Sequence, residues 1–306
     1  MRGLVLGSAG FLGSRLMDAL LADGCSVVGV QRNPLSGKTP SNSAIRMFDF
    51  RDEKSLKPLL EVADVVYHFA GSATPASGLS DPVAELEANF LANVKLFRQC
   101  ADSGVKRIIF PSSGGTVYGQ AGDLPTRENS TLQPLNVYGV GMVATENMLK
   151  VISSLEGLEF EILRLANPYG PGQVNRRLNG FISTSISAAL ENKELTVWGD
   201  GLATRDFIYV DDVIDACVSA SKTSVTNQII NIGSGTEVTL NQVIEMIEQE
   251  LSVKINVRYQ SERVIDVHRS SLDINAARLV LDWSPKTNLE QGIRNTIHWL
   301  QNHSDR

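Results

Sequence analysis

The sequence predicts an α/β fold, a doubly wound parallel sheet with a smaller C-terminal α+β lobe, and three observations lead there. Short apolar runs alternate with helix-period segments through the first half. A glycine-rich turn joins the first run to the first helix. Beyond residue 170 the segments become shorter and mixed.

The elements follow in order. "GLVLG" is an apolar run ending in glycine, and "FLGSRLMDALLADG" has helical periodicity and stops at Gly24. "SVVGV", "ADVVYHFAG", "VKRIIFPSS" and "FEILRLANPYG" repeat the strand theme, with "LEANFLANVKLFRQCADSG" and "YGVGMVATENMLKVISSLEG" as helices between them. Continuous β-branched runs between helices mean parallel strands buried on both faces. After "YGPGQ" come "LTVWGDG", "RDFIYVDDVIDAC", "QIINIGSG", "LNQVIEMIEQEL" and "INVRYQ", which read as the second lobe over the carboxyl ends of the strands. Residues 33–44, rich in Pro, Ser, Gly and Asn, are expected to be a mobile loop.

Gly7, Gly10 and Gly13 are spaced GxxGxxG between the first strand and the first helix. Glycine there permits a tight turn and close backbone approach. The helix N-terminus offers free N–H groups to a pyrophosphate. The fold is therefore expected to be Rossmann-type. Residues 1–170, with returning segments near 205–235, would form the NAD(P)-binding half, and 171–306 mainly the substrate lobe. The carboxylate expected after the second strand is missing, because "VVGVQRN" places Gln31 and Arg32 there. A carboxylate would bind the ribose 2′-OH of NAD, whereas an arginine can accept the 2′-phosphate of NADP. NAD is the expected cofactor, with NADP left open by Gln31 and Arg32. In "FDFRD", Asp49 beside Phe50 is a candidate for the adenine edge, or else a cap for the next helix.

The bulk properties exclude other classes. The chain has 306 residues with net charge -6, which argues against binding nucleic acid through its backbone charge. Cys25, Cys100 and Cys217 lie far apart, without metal-ligand or disulfide spacing. That fits a reducing cytoplasm, and no metal is expected. No apolar run reaches membrane-spanning length, and the N-terminus reads as a strand rather than a signal peptide.

The order of GxxGxxG, "VYHFAG", "PSSGGTVYG", Tyr138, "LRLANPYGPGQ", "RDFIYVDDV" and "NIGSG" resembles the extended short-chain dehydrogenase/reductases, in the NAD-dependent epimerase/dehydratase family. "SSGGTVYG" followed by "NPYGPGQ" is most similar to the branch of UDP-glucose 4-epimerase-like sugar-nucleotide epimerases. The resemblance implies transient oxidation at sugar C4, with Tyr138 as the base. Free tyrosine titrates near pH ~10 and needs nearby positive charge to act at neutrality. In the family a lysine one helical turn on supplies that charge, but here the position is Met142. Methionine carries no charge, so activity is expected to be impaired, by ~10²–10⁴-fold if a proton-transfer component is lost. Plain helix packing is its alternative role.

The remaining roles are also carried by the resemblance. A hydroxyl near the sugar 4-OH is expected from Thr116, with Ser113 next, since Gly114 stands where many epimerases carry serine. Either hydroxyl could instead only cap the turn. The 4,6-dehydratases carry an Asp-Glu pair where this chain has Gly115 and Thr116. Elimination would have to use Glu146 or Glu128, so a dehydratase or ketoreductase is the runner-up and a non-catalytic NAD(P) sensor the third reading. Phe11, Leu12, Phe69, Ala70, Gly71, Asn89 and Pro168 would line the cofactor. Asn167, Trp198, Arg205, Arg263 and Asp266 would bind a nucleotide sugar, most simply UDP-linked, with the two arginines on its diphosphate. Gln173–Arg177, "QVNRR", has no placed role. His68 is expected to be structural, and Asp211 with Asp212 to cap a helix rather than hold metal. Helices at 84–103 and 138–155 are expected to pair in a homodimer.

Overall fold

Strands that are apolar on both faces must be covered on both faces, and this requirement organises the molecule. The computed structural model describes residues 1–32, 44–71, 78, 81–173 and 180–303. Its centre is a seven-stranded sheet. The strands are β1 (Arg2–Leu6), β2 (Ser26–Gln31), β3 (Ala44–Met47), β4 (Val65–His68), β5 (Arg107–Ser113), β6 (Glu159–Leu165) and β11 (Gln228–Ile232). They run in the order β11-β6-β5-β4-β1-β2-β3, with all pairs parallel. The order reverses between β1 and β4, where Leu6 is in register with His68 on one side and with Val30 on the other. In such sheets ligands bind beyond the carboxyl ends of the strands at this point.

Side chains alternate across the strands as the pleat requires. On one face Val5, Tyr67, Ile109 and Leu163 pack with Leu16, Met17 and Leu20 of α1 (Phe11–Ala22) and with Val213 and Cys217 of α7 (Val210–Lys222). On the other, Leu4, Leu6, Ile108, Phe110 and Ile162 pack with Leu56 and Leu60 of α2 (Glu53–Leu60), with Leu96 and Phe97 of α4 (Ala92–Asp102), and with Leu149 and Ile152 of α5 (Val137–Glu156). Each buried aliphatic side chain contributes about 1.5–3 kcal/mol.

The helix expected over 84–103 is divided. α3 (Pro82–Leu86) starts with proline after the Asp81 cap, a π-helical turn spans Glu87–Leu91, and α4 continues. Such π-turns commonly mark functional sites, and this one carries Asn89.

The C-terminal part is built from two-stranded pieces. β7 (Asn167–Tyr169) pairs with β10 (Phe207–Tyr209), β8 (Leu195–Trp198) with β13 (Val257–Gln260), and β9 (Thr204–Arg205) with β12 (Val238–Thr239). α6 (Phe181–Glu191), α8 (Leu240–Leu251) and α10 (Leu289–His303) pack together, while α9 (Asn275–Leu281) lies against α7 and β11. Ile186, Ile247 and Ile293 belong to the same core as the α1 face of the sheet, so apolar packing is continuous between the halves.

Two expectations are corrected. Asp211 and Asp212 do not cap α7, whose N-cap is Tyr209 without a side-chain bond. Asp211 pairs with Arg15 at 2.6 Å, and buried Asp212 accepts from the Lys286 and Thr287 amides. Those bonds tie α7 to α1 and to the chain entering α10. Asp52, not Asp49, caps α2.

Candidate functional site

The phosphate turn follows from steric necessity. Gly7 has φ +85, and a Cβ there would lie 2.5 Å from the Phe69 carbonyl oxygen. A Cβ on Gly13 would lie 2.2 Å from the Gly7 oxygen. α1 therefore packs against the turn only with glycine at both positions. Its N-cap is Gly10, which has no side chain to satisfy the first-turn N–H groups. An open cradle of N–H donors at a positive helix end fits a pyrophosphate. Phe11 and Leu12 begin that helix, Phe69 and Ala70 follow β4, and Gly71 comes next with its Cβ position 3.9 Å from Asn89 Oδ1.

At the end of β2 Gln31 is buried, and its Oε1 accepts from Ser8 Oγ at 3.1 Å. Asp49 accepts from Arg51 Nε at 2.9 Å and Nη2 at 2.6 Å, with Arg32 Nη1 3.8 Å away. The Arg51 bond holds the Asp49 carboxyl below its usual range. His68 is buried with Nε2 2.7 Å from Asn93 Oδ1, and burial pushes its pKa down to about 4, so it is a neutral packing residue between Phe50 and Phe110.

The residues expected at the reactive end lie where β5 stops and α5 begins. Asn136 caps α5 by accepting from the Gly139 amide at 2.9 Å, which fixes Tyr138 in the first turn. Ser113, the last residue of β5, brings its hydroxyl close enough to the Tyr138 phenol to act on its pKa. Thr116 Oγ1 instead donates to the Ser113 carbonyl at 3.4 Å, closing the turn. A Cβ on Gly114 would lie 2.6 Å from Leu272 Cδ1 and 3.1 Å from the Arg164 oxygen, so a serine there would be crowded. Burial raises the Tyr138 pKa; the nearby Ser113 hydroxyl opposes this and the charge of Glu85 adds to it. Met142, one turn along the same helix face, is half-buried and packs against both cores.

Behind Tyr138 is a buried polar network. Arg164 Nη2 pairs with Glu146 Oε2 at 2.6 Å, with both side chains at most 2% exposed. Ser112 Oγ donates to Glu146 at 2.5 Å, and Arg164 Nη1 donates to Tyr118 Oη and to the Glu128 carbonyl. Tyr118 donates to Asn231 Oδ1, and the Asn231 amide donates to Glu128 Oε1. This joins α5 to β5, β6 and β11. Both carboxylates considered for elimination are therefore engaged in holding the scaffold.

The second lobe assembles the other candidates. Asn167 donates to the Asp206 carbonyl at 3.0 Å, and its Nδ2 is 3.7 Å from where a Gly115 Cβ would sit. Pro168 follows in β7, opposite Ile208. Asp206 is fully buried and accepts from Ser234, Gly235 and Leu272, which locks "NIGSG" to "RDF". Arg263 makes two bonds to Asp266, at 2.8 and 2.9 Å, and its guanidinium lies 5.0 Å from the Trp198 ring centroid. Arg205 donates to the Thr204 carbonyl at 2.8 Å; burial lowers its pKa, with Asp266 raising and Arg263 lowering it further. Trp198, Arg205, Arg263 and Asp266, spread over 69 positions of sequence, thus form one cluster. Of "QVNRR", Gln173 accepts from Ser183 Oγ at 2.5 Å and the rest lies outside the described residues, as do 33–43 of the expected loop.

Sequence reasoning missed Glu85 and the role of Asp206. Glu146, however, is eight residues after Tyr138, and its helical spacing on the Tyr138–Met142 face was a readable signal.

Residues 3–233 match the NAD dependent epimerase/dehydratase family, and the chain belongs to it. Among curated relatives, the UDP-glucose 4-epimerase of Mycolicibacterium smegmatis is 33% identical over 99% of this chain and 100% of its own. Among solved structures, the UDP-glucose 4-epimerase of Thermotoga maritima with UDP-glucose has TM-score 0.94 and 31% identity over 100% of both chains. The Thermus thermophilus UDP-glucose 4-epimerase in complex with NAD has TM-score 0.91 and 29% identity, over 98% of this chain and 99% of that one.

Proposed function

We propose that the chain is a UDP-sugar 4-epimerase acting on a UDP-hexose or UDP-N-acetylhexosamine, slowed by Met142 in place of a cation. The observation that carries this is the approach of the Ser113 hydroxyl to the Tyr138 phenol where β5 ends and α5 begins, with the Arg205, Arg263 and Trp198 cluster in the second lobe. Bound NAD supplies the hydride acceptor and donor for the sugar carbon. Tyr138 takes the proton of the sugar 4-OH and later returns it, while Ser113 orients the phenol and the sugar hydroxyl. Arg205 and Arg263 hold the diphosphate, Trp198 packs the base, Asp266 takes a ribose hydroxyl and Asn167 the substrate side of the crevice. Residues 1–170 serve the dinucleotide and 171–306 mainly the sugar nucleotide. Val83, Leu91, Val140, Val151 and Leu155 are exposed apolar side chains on α3, the π-turn and α5, and they support pairing of two copies through these helices.

A ketoreductase is the second reading, favoured by one observation. A tyrosine whose pKa is raised by burial stays protonated and donates to a ketone oxygen more readily than it abstracts. Dehydration is disfavoured because Glu146 is held by Arg164 and Ser112. A sensor without turnover would not need the arginine cluster.

The test is turnover of UDP-glucose and UDP-GlcNAc by the native chain and by Met142→Lys, with products read by NMR. The 4-epimer is expected from both, with the lysine variant faster by roughly 10²–10⁴-fold. A 4-keto-6-deoxy product, or dinucleotide consumed in step with reduced sugar, would overturn the epimerase reading. Full activity of the native chain would overturn the impairment.

A further inference from the structure

The adenosine end of the dinucleotide groove departs from a design for a free ribose 2′-hydroxyl. A carboxylate at the end of β2 accepts a hydrogen bond from that hydroxyl and repels a phosphate in its place. Here the position is Gln31, which is neutral, and its Oε1 is already used by Ser8 Oγ at 3.1 Å. What it retains for a ligand is the Nε2 donor. Arg32 follows, half-exposed, with Nη1 3.8 Å from Asp49 Oδ2, beyond hydrogen-bond reach. That carboxylate is taken by Arg51 through the side-chain bonds at 2.9 and 2.6 Å and the backbone amide at 3.0 Å. Two guanidinium groups thus face one carboxylate beside the end of β2. Among the described residues Arg32 makes only that loose contact, so its guanidinium has donors to offer.

We infer that this end of the groove accepts a 2′-phosphate, so that the chain binds NADP as well as NAD, with Arg32 as the phosphate ligand and Gln31 and Arg51 beside it. A planar guanidinium fork matches phosphate oxygens, and a neutral amide donor adds to it where a carboxylate would repel. The inference needs only the dinucleotide groove and stands whether or not the sugar reaction is epimerisation. If hydride does leave and return within one cycle, the chemistry imposes no choice between the two dinucleotides.

The test is a set of binding titrations of the full chain with NAD+, NADP+, 5′-AMP and 2′-AMP, by calorimetry at two salt concentrations. They are run on the native protein, Arg32→Ala and Gln31→Asp. Arg32 is 51% exposed on its side chain, so its truncation leaves the fold intact. NADP+ is expected to bind at least as tightly as NAD+. Arg32→Ala should weaken NADP+ by roughly 10–100-fold, as expected for a hydrogen bond to a charged group, and NAD+ by less than about threefold. Gln31→Asp should reverse the preference, and 2′-AMP should lose affinity with salt more steeply than 5′-AMP. A native preference for NAD+ above about tenfold, or an equal loss of both dinucleotides in Arg32→Ala, would overturn the proposal.

Discussion

Glu161 gives the most quantitative handle on this fold. It lies in β6 between Ile109 of β5 and Gln228 of β11, fully buried, and neither carboxyl oxygen has a hydrogen-bond partner among the described residues. The nearby cation, Arg107, is spent on Glu159 and on the Ala220 and Thr223 carbonyls. Burial pushes the Glu161 pKa up to about 8, from 4.5 in an open chain, and the charge of Arg107 only partly opposes it. Below pH 4.5 the carboxyl is protonated in both states and adds no pH dependence. Between 4.5 and 8 the unfolded chain releases a proton that the folded chain keeps, so stability falls as pH rises. At 1.36 kcal/mol per unit, the loss is about 3 kcal/mol at pH 7 and about 5 kcal/mol above pH 8. Glu161→Gln keeps the shape and removes the titration. Urea unfolding of both proteins at pH 5, 7 and 9 should show the variant gaining on the native chain by these amounts. A stability difference that is flat with pH would refute the reasoning.

Other consequences can be tested separately. Because burial raises the Tyr138 pKa and Met142 brings no positive charge, the native rate should climb with pH into the alkaline range, and Met142→Lys should move that limb to lower pH; superimposable pH–rate profiles would contradict this. Breaking the Arg164–Glu146 pair with Glu146→Gln should cost about 3–5 kcal/mol, because it leaves a guanidinium buried without its counter-charge, measured by chemical denaturation. Arg263→Ala should raise KM for the UDP-sugar by roughly 10–100-fold with a small change in kcat, since it removes binding rather than proton transfer; a loss confined to kcat would place Arg263 elsewhere in the mechanism.

Much of this was legible in the chain because the signals are local. Gly7 and Gly13 announce the phosphate turn by excluding a Cβ, and the apolar runs of β1, β4, β5 and β6 announce a sheet covered on both faces. Tyr138 is placed by the Asn136 cap and by the motifs around it, whatever stands at position 142. The order of motifs placed the chain in its family without any contact being known. Which groups meet depends on distances that no local pattern encodes. Ser113 and Tyr138 are 25 positions apart, and the end of β5 meeting the start of α5 brings the Ser113 hydroxyl beside the phenol, while Thr116 Oγ1 turns to the Ser113 carbonyl. Asp211 and Asp212 read as caps locally, yet packing of α7 against α1 and the α10 approach gave them other partners. Glu146 and Glu128 were free carboxylates on paper. Burial beside Arg164, Ser112, Tyr118 and Asn231 made them scaffold, because a buried charge must be paired to be tolerated. The sequence by itself thus determined the fold, the dinucleotide turn and the identity of the candidate groups. Only the tertiary structure decided which are neutral, which are engaged and which remain for a substrate, since those properties arise from contacts between distant segments.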